Sequence, residues 1–399
     1  MWQNVQAAPA DAILGLADAF RGDTDPRKVN LGVGVYKDES GVTPILRAVK
    51  EAEQLLVERE VSKDYLPIPG DMSFAGPVKE LLFGAGHAAV VENRVVTAHT
   101  PGGTGALRVG AELLHRFLPK ATVWVSTPTW VNHRGIFAAA GFPLREYPYY
   151  DAMRMGIDFS ALLETLQNVP AGDIVVLHAC CHNPCGFDLS RAEWDAIIEV
   201  AKKKEWLPFL DFAYQGFAES PEADRYAVAG FAATGQDMLV AGSFSKNFGL
   251  YDERCGALSL IAPTAAQAEV AMSHMKTVIR VLYSNPPAHG GLIVATILAD
   301  RRLRAAWREE LAAMRQRIVD MRRLLVDGLK ARGVNRDFSF INRQRGMFSY
   351  TGLDNRVVER LRGEKHIYMV AGGRINLAGL TRKNIDYVCD SICKALADE

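Results

Sequence analysis

Met238 to Ala241 is an apolar run, and it leads into Ser243-Phe244-Ser245-Lys246-Asn247-Phe248-Gly249-Leu250-Tyr251. The run reads as a buried strand, so Lys246 would stand at a strand end with its amine partly out of water. Burial disfavours the ammonium form and leaves a nucleophilic amine. Such an amine suits a carbonyl cofactor held as a Schiff base, and Ser243 and Ser245 offer hydroxyl donors to a phosphate. Arg254 could clamp the same phosphate with two parallel bonds. The alternative is an ordinary loop lysine, and the rest of the chain bears on the choice.

Working outward, 399 residues suit two domains of ordinary size. Lysine plus arginine and aspartate plus glutamate number 46 each, so no global field recruits nucleic acid or an anionic membrane. Charge recognition must be local. Six cysteines are too sparse for a disulfide scaffold and point to a reducing, cytoplasmic setting. Met1-Trp2-Gln3-Asn4 lacks the basic-then-apolar pattern of an export signal, and no apolar run is long enough to span a bilayer. The expectation is a soluble protein that is not exported.

An irregular arm containing Pro9 precedes a short helix from about Asp11 to Phe20, and Gly32 and Gly34 mark a close backbone approach between Asn30 and Tyr36. A helical pattern from Pro44 to Leu56 ends in a constrained loop that presents Tyr65, either half-buried or reaching a phosphate. Val95 to Ala98 is a strand, and Thr100-Pro101-Gly102-Gly103-Thr104-Gly105 opens a helix that continues to Phe117. Strand, glycine turn and helix start form a phosphate cradle, or a plain capping turn. The glycine spacing does not match a dinucleotide fingerprint.

Thr122 to Val125 is a further strand with Trp130 and His133 just past its end, where ligands of open parallel sheets gather. Trp130 would stack on a flat ring or fill core; His133 suits a structural hydrogen bond. Asp173 to His178 runs into Cys180-Cys181-His182-Asn183-Pro184-Cys185. Zinc is disfavoured there, because adjacent residues of an extended segment face opposite ways and no second ligand cluster exists, so no metal is expected. Trp206 to Leu210 leads to Asp211, a desolvated carboxylate that needs a cationic partner such as a protonated pyridine, unless it caps a helix. Tyr214 could reach the same ligand.

Strands and helices alternate from about 45 to 300, the pattern of an α/β fold with a mostly parallel sheet between helices. Ile279 to Pro287 interrupts two helices and carries Arg280. Arg301 to Arg332 is one long amphipathic helix with an apolar stripe and a solvated arginine face. Phe338 to Ile341 and Gly346 to Tyr350 alternate like strands, and Gly373-Arg374-Ile375-Asn376 places an arginine able to fork onto a carboxylate. The last part reads as a small α+β domain. Boundaries fall at 1–44 for the arm and part of the small domain, 45–305 for the large domain and 306–399 for the rest of the small one.

Taken together, Asn30 to Glu39, Pro101 to Arg108, Cys181-His182-Asn183-Pro184, Asp211 to Phe217, Ser243 to Tyr251, Tyr283 to Gly290 and Gly373 to Asn376 resemble the class I aminotransferases of pyridoxal phosphate fold type I, in the aspartate and aromatic amino acid subgroup. The resemblance spans nearly the whole chain. It implies pyridoxal 5'-phosphate bound to Lys246, which also moves the Cα proton, and Asp211 holding the pyridine nitrogen protonated with His133 behind it. Tyr214 and Asn183 would bond the ring oxygen, and Trp130 would stack on the ring. Gly103, Thr104, Ser243, Ser245 and Arg254 would bind phosphate, with Tyr65 reaching in from a second subunit. Arg374 would grip the substrate α-carboxylate beside Gly34, and Arg280 of that second subunit would take a side-chain carboxylate. A homodimer with shared sites follows from the resemblance, as does ping-pong transamination with 2-oxoglutarate.

Two positions depart from the family pattern. Cys185 stands where threonine is usual, and Leu282 where aspartate-type relatives commonly carry asparagine. Leu282, with Gly346 to Gly352 in the wording of tyrosine-type relatives, points to aromatic side chains; Arg280 with Asn285 points to dicarboxylates. The expectation is a dual aspartate and aromatic aminotransferase. A pyridoxal phosphate decarboxylase or lyase is the first rival, with less need for two carboxylate-binding arginines. The second is a retired, cofactor-binding regulator, which would be expected to have lost Lys246 or Arg374.

Overall fold

Strands, most of them apolar and covered on both faces, build the centre of the molecule. In the computed structural model, which describes residues 2–7 and 12–397, seven of them form one sheet. They are β1 (Val95–Pro101), β2 (Val123–Thr127), β3 (Leu144–Pro148), β4 (Ile174–His178), β5 (Leu207–Phe212), β6 (Met238–Ser243) and β7 (Cys255–Ile261). Every residue of β4, β6 and β7 is buried, the signature of a sheet sandwiched by helices. The order is β1-β7-β6-β5-β4-β2-β3. Neighbours from β6 to β3 pair in parallel, whereas β7 runs antiparallel to both β1 and β6. One end of the sheet therefore gathers the C-terminal ends of six strands and the start of β7.

Helices take the connections. The first to matter is α1 (Gly102–Phe117), which leaves β1 without an intervening loop; α2 (Val131–Ala139) follows β2, and α3 (Ala265–Leu282) follows β7. The longest, α4 (Arg301–Ala331), buries Trp307, Leu311, Met314, Ile318, Met321, Leu325 and Leu329 as the expected stripe. Its arginine face is not wholly solvated, however. Arg322 is buried and donates through Nη2 to the Gly346 carbonyl at 2.6 Å, and burial lowers its pKa to about 10.

The small elements depart more from the sequence reading. Ser339–Arg343 is a 3-10 helix, not a strand, because Asp337 captures both the N–H and the hydroxyl of Ser339 at 2.7 and 2.8 Å and turns the chain. The strand before Gly32 is confined to Val29–Asn30, since Asn30 Oδ1 accepts from the Gly32 N–H at 3.0 Å and turns the chain. That two-residue strand pairs in parallel with Ile367–Tyr368, which ties the start of the described chain to its last third. Pro9 and Asp11 lie outside the described residues; the first helix is described over Ala12–Gly22. No described helix is long and apolar enough to cross a membrane.

Candidate active site

The strand ends converge on a cavity of about 250 Å³. Gly34, Gly103, Thr104, Trp130, Asn183, Asp211, Tyr214, Ser243, Ser245, Lys246, Arg254 and Arg374 all line it. Two expected site residues do not. Tyr65 is 93% exposed, and Arg280 is exposed in the last turn of α3.

Lys246 sits in the turn after β6, and aromatic packing fixes that turn from both sides. Phe244 and Phe248 are buried and meet edge to face at 5.5 Å, Phe248 stacks on Trp307 of α4 at 4.6 Å, and the Trp307 indole donates to the Asn247 carbonyl at 2.7 Å. The amine stands 4.9 Å from the centre of the Tyr214 ring. Burial lowers the Lys246 pKa, against the pull of Asp211 and with the help of the Arg254 charge. That is the environment for a nucleophilic amine.

Asp211 lies within β5, which excludes a helix-capping role. Burial raises its pKa, but a 2.9 Å bond from His133 Nε2 and the nearby charges of His133, His178 and Lys246 outweigh it, and the carboxyl ends below its usual value. His133 is fully buried on α2, and Thr129 Oγ1 joins its Nδ1 at 2.8 Å to His178 Nε2 at 3.2 Å. A buried carboxylate kept ionised in this way is a ready partner for a protonated ring nitrogen.

Just before the cavity residues Gly103 and Thr104, α1 begins at Gly102, whose φ is +70°. A Cβ there would stand 2.5 Å from Arg254 Nη2, so only glycine lets the strand-to-helix turn close on the guanidinium. Arg254 donates to Ser245 Oγ at 3.3 Å and to the Tyr251 carbonyl at 3.0 Å. Helix N-terminus, hydroxyls and guanidinium together make an anion site.

Arg374 forms the third corner. It is buried, donates to the Gly32 carbonyl at 2.7 Å, reaches Asn183 Oδ1 at 3.4 Å and lies 4.3 Å over the Phe348 ring. Asn376 donates to the carbonyls of Val33 and Val35 at 2.7 and 2.8 Å, which holds the Gly34 segment as the wall above. A Cβ on Gly34 would meet Phe348 Cζ at 2.7 Å, so the close approach expected there is real. Among the described residues, both cavity arginines bond only neutral oxygens. Each keeps its charge free for an anionic ligand.

An anion site, an ionised carboxylate and a desolvated lysine in one cavity fit pyridoxal phosphate, which carries a phosphate, a basic ring nitrogen and an aldehyde. Leu107, His178, Ala213, Tyr251 and Phe348 also line the cavity and were not expected to. Tyr251 ends the stretch that holds Lys246, and its hydroxyl accepts from the Tyr36 N–H at 2.8 Å. Phe348 lies in the Gly346 to Gly352 stretch, but nothing in the sequence alone put it beside Arg374.

Comparisons with known proteins agree with this geometry. The family model described as aminotransferase class I and II matches residues 26–392. The aspartate aminotransferase of Salmonella typhi is 53% identical over 99% of this chain and 100% of its own length. The aromatic-amino-acid aminotransferase of Pseudomonas aeruginosa is 46% identical over 99% of this chain and 98% of its own. The solved structure of an aromatic-amino-acid aminotransferase from Burkholderia pseudomallei, covalently bound to pyridoxal phosphate, superposes with a TM-score of 0.97 at 52% identity, covering 99% of both chains. With the family matched over nearly the whole length, and with fold type I architecture around a cavity suited to its chemistry, the chain belongs to the class I and II aminotransferases.

Proposed function

We propose that this protein transfers the amino group of L-aspartate and of aromatic L-amino acids to 2-oxoglutarate, with pyridoxal phosphate as cofactor. The observation that carries the reading is the cavity in which Lys246 and Asp211 stand between two arginines free of acidic partners. When bound, pyridoxal phosphate supplies an aldehyde that takes up the amino group and a ring that delocalises the electron pair left at Cα. Gly103, Thr104, Ser243, Ser245 and Arg254 would hold its phosphate, Trp130 would cover a ring face, and Asn183 and Tyr214 would bond the ring oxygen. Asp211, oriented by His133, would keep a proton on the ring nitrogen. The Lys246 amine, unprotonated more readily than an ordinary lysine, would take and return the proton at Cα. Arg374 grips the α-carboxylate beside Gly34.

The reading includes a homodimer in which Tyr65 and Arg280 of one subunit complete the cavity of the other. Its support is that these two alone of the expected site residues stand exposed and outside the cavity. It also assigns residues 45–305 to a cofactor-binding domain and 1–44 with 306–399 to a smaller one, supported by the pairing of Val29–Asn30 with Ile367–Tyr368. The working place is the cytoplasm, in keeping with six free cysteines among the described residues.

The test is the first half-reaction without acceptor: the loaded enzyme is mixed with L-aspartate or L-phenylalanine, and the 2-oxo acid released per bound cofactor is counted. One equivalent from each supports dual use. Release from aspartate alone would show that Leu282 does not admit a ring. Release from neither would return the chain to decarboxylase, lyase or retired-regulator chemistry.

A further inference from the structure

Cys185 departs from the threonine usual at its place, is fully buried and does not line the cavity. Its Sγ lies 3.1 Å from His182 Nδ1. The other ring nitrogen, Nε2, is 3.0 Å from Ser126 Oγ, which in turn lies 2.8 Å from the Pro128 carbonyl. A carbonyl oxygen can only accept, so the single hydroxyl proton of Ser126 belongs on Pro128 and Oγ must accept from His182. Nε2 then carries the ring proton and Nδ1 is a bare acceptor, which takes the thiol proton of Cys185. The reverse assignment leaves the Pro128 carbonyl without that donor and points the thiol at the Phe187 carbonyl, 4.0 Å away. Counting satisfied groups favours the first network.

We propose that Cys185 is a positioning residue: its S–H meets the bare Nδ1 that the Ser126–Pro128 bond leaves on His182 and so completes the chain of bonds that pins the loop carrying Trp130 to the turn carrying Asn183. Ser126 ends the buried part of β2, four residues before Trp130, and His182 immediately precedes Asn183. The ring itself is clamped, stacked on Tyr149 at 4.0 Å, with its own backbone N–H held by Asp188 at 2.9 Å. Burial lowers the His182 pKa well below its usual value, so the ring is neutral and one of its nitrogens is a bare acceptor. Threonine could make the same bond to Nδ1 with a hydroxyl, so the cysteine replaces it with a weaker donor. The consequence for catalysis rests on the aminotransferase reading; the tautomer does not.

The experiment reads both in the pyridoxal phosphate-loaded protein. Long-range proton–nitrogen correlations of labelled histidine, with His182→Gln assigning the signal, should show Nε2–H in the native chain. Cys185→Ser and Cys185→Thr, which keep a donor, should retain it. Cys185→Val, which keeps the bulk without the donor, should keep the Nε2–H ring but move its Nδ1 signal downfield to that of an unbonded acceptor, and raise KM for L-aspartate about tenfold, which corresponds to about 1.4 kcal/mol, while kcat changes less than about twofold. Cys185→Ala should behave like Cys185→Val, so failure of either to fold leaves the other. An Nδ1–H ring in the native chain, an Nδ1 signal that does not move in Cys185→Val, or one that moves as far in Cys185→Ser would each overturn the proposal. A native chain with the expected tautomer but no transamination would sink the functional reading and leave the tautomer assignment standing.

Discussion

Arg374→Ala removes a guanidinium that is 5% exposed and makes its bonds to neutral oxygens, one of them a long 3.4 Å contact with Asn183. Burial lowers the Arg374 pKa, so the unliganded charge is held at a cost that a carboxylate partner would relieve. A forked pair replaces that poorly satisfied state with two charge-assisted bonds, each contributing about 1.5–3 kcal/mol. Losing both removes about 3–6 kcal/mol, or a factor of about 10² to 10⁴ in kcat/KM. Arg374→Lys keeps a cation near the Phe348 face but not the planar fork, so it should recover about tenfold of that loss and no more. Steady-state transamination of L-aspartate and L-phenylalanine measures the effect, with phenethylamine, which lacks the α-carboxylate, as the internal control. The amine should be a poor substrate for the native protein and no worse for the variant. A fall of less than about tenfold for both amino acids, or an equal fall for the amine, would refute a carboxylate-gripping Arg374. A drop confined to melting temperature would show instead that the Gly32 bond is its whole contribution.

Other residues give equally concrete outcomes. Lys246→Ala should abolish release of 2-oxo acid and the covalent attachment of cofactor, read after borohydride reduction as mass retained on denaturation; retained mass would place the attachment elsewhere. Gly102→Ala forces a side chain into a left-handed conformation at a cost of about 1–2 kcal/mol and pushes on Arg254, so pyridoxal phosphate affinity should fall about tenfold or more by equilibrium dialysis. Asp188 accepts from the N–H groups of Cys181 and His182 at 2.7 and 2.9 Å, and burial raises its pKa to about 6 from an ordinary 3.8. Its contribution to stability is therefore complete below the ordinary value and is lost as pH rises through about 6. Denaturant unfolding should show native stability falling relative to Asp188→Asn by on the order of 1–3 kcal/mol between about pH 4 and pH 7; a rise over that window would contradict the shift.

Much of the fold was legible because strand and helix have distinct periods, and because buried parallel strands read as unbroken apolar runs. Arg191–Lys204 and the stripe of α4 follow directly from that pattern. The short pieces were not legible. At Ser339–Arg343 and after Asn30, a single side chain bonding the backbone two residues away outweighs alternation, and which bond wins depends on what packs alongside. Reactive residues at strand ends were legible for a related reason: a lysine or aspartate that closes an apolar run is desolvated wherever the sheet lies.

By itself the sequence determined the kinds of group at the site, since Lys246, Asp211, Arg254 and Arg374 each carry chemistry that their immediate neighbours announce. Tertiary structure alone decided their arrangement. The strand order β1-β7-β6-β5-β4-β2-β3 brings Gly102, Asp211, Lys246 and Arg254 to one edge although they span over half of the sheet's sequence. It also put Phe348 under Arg374, Thr129 between two histidines, and Cys185 against His182. Hydrogen bonds and ring contacts act over a few ångströms, and closeness of that kind between residues far apart in the chain is a property of packing, which no local pattern encodes.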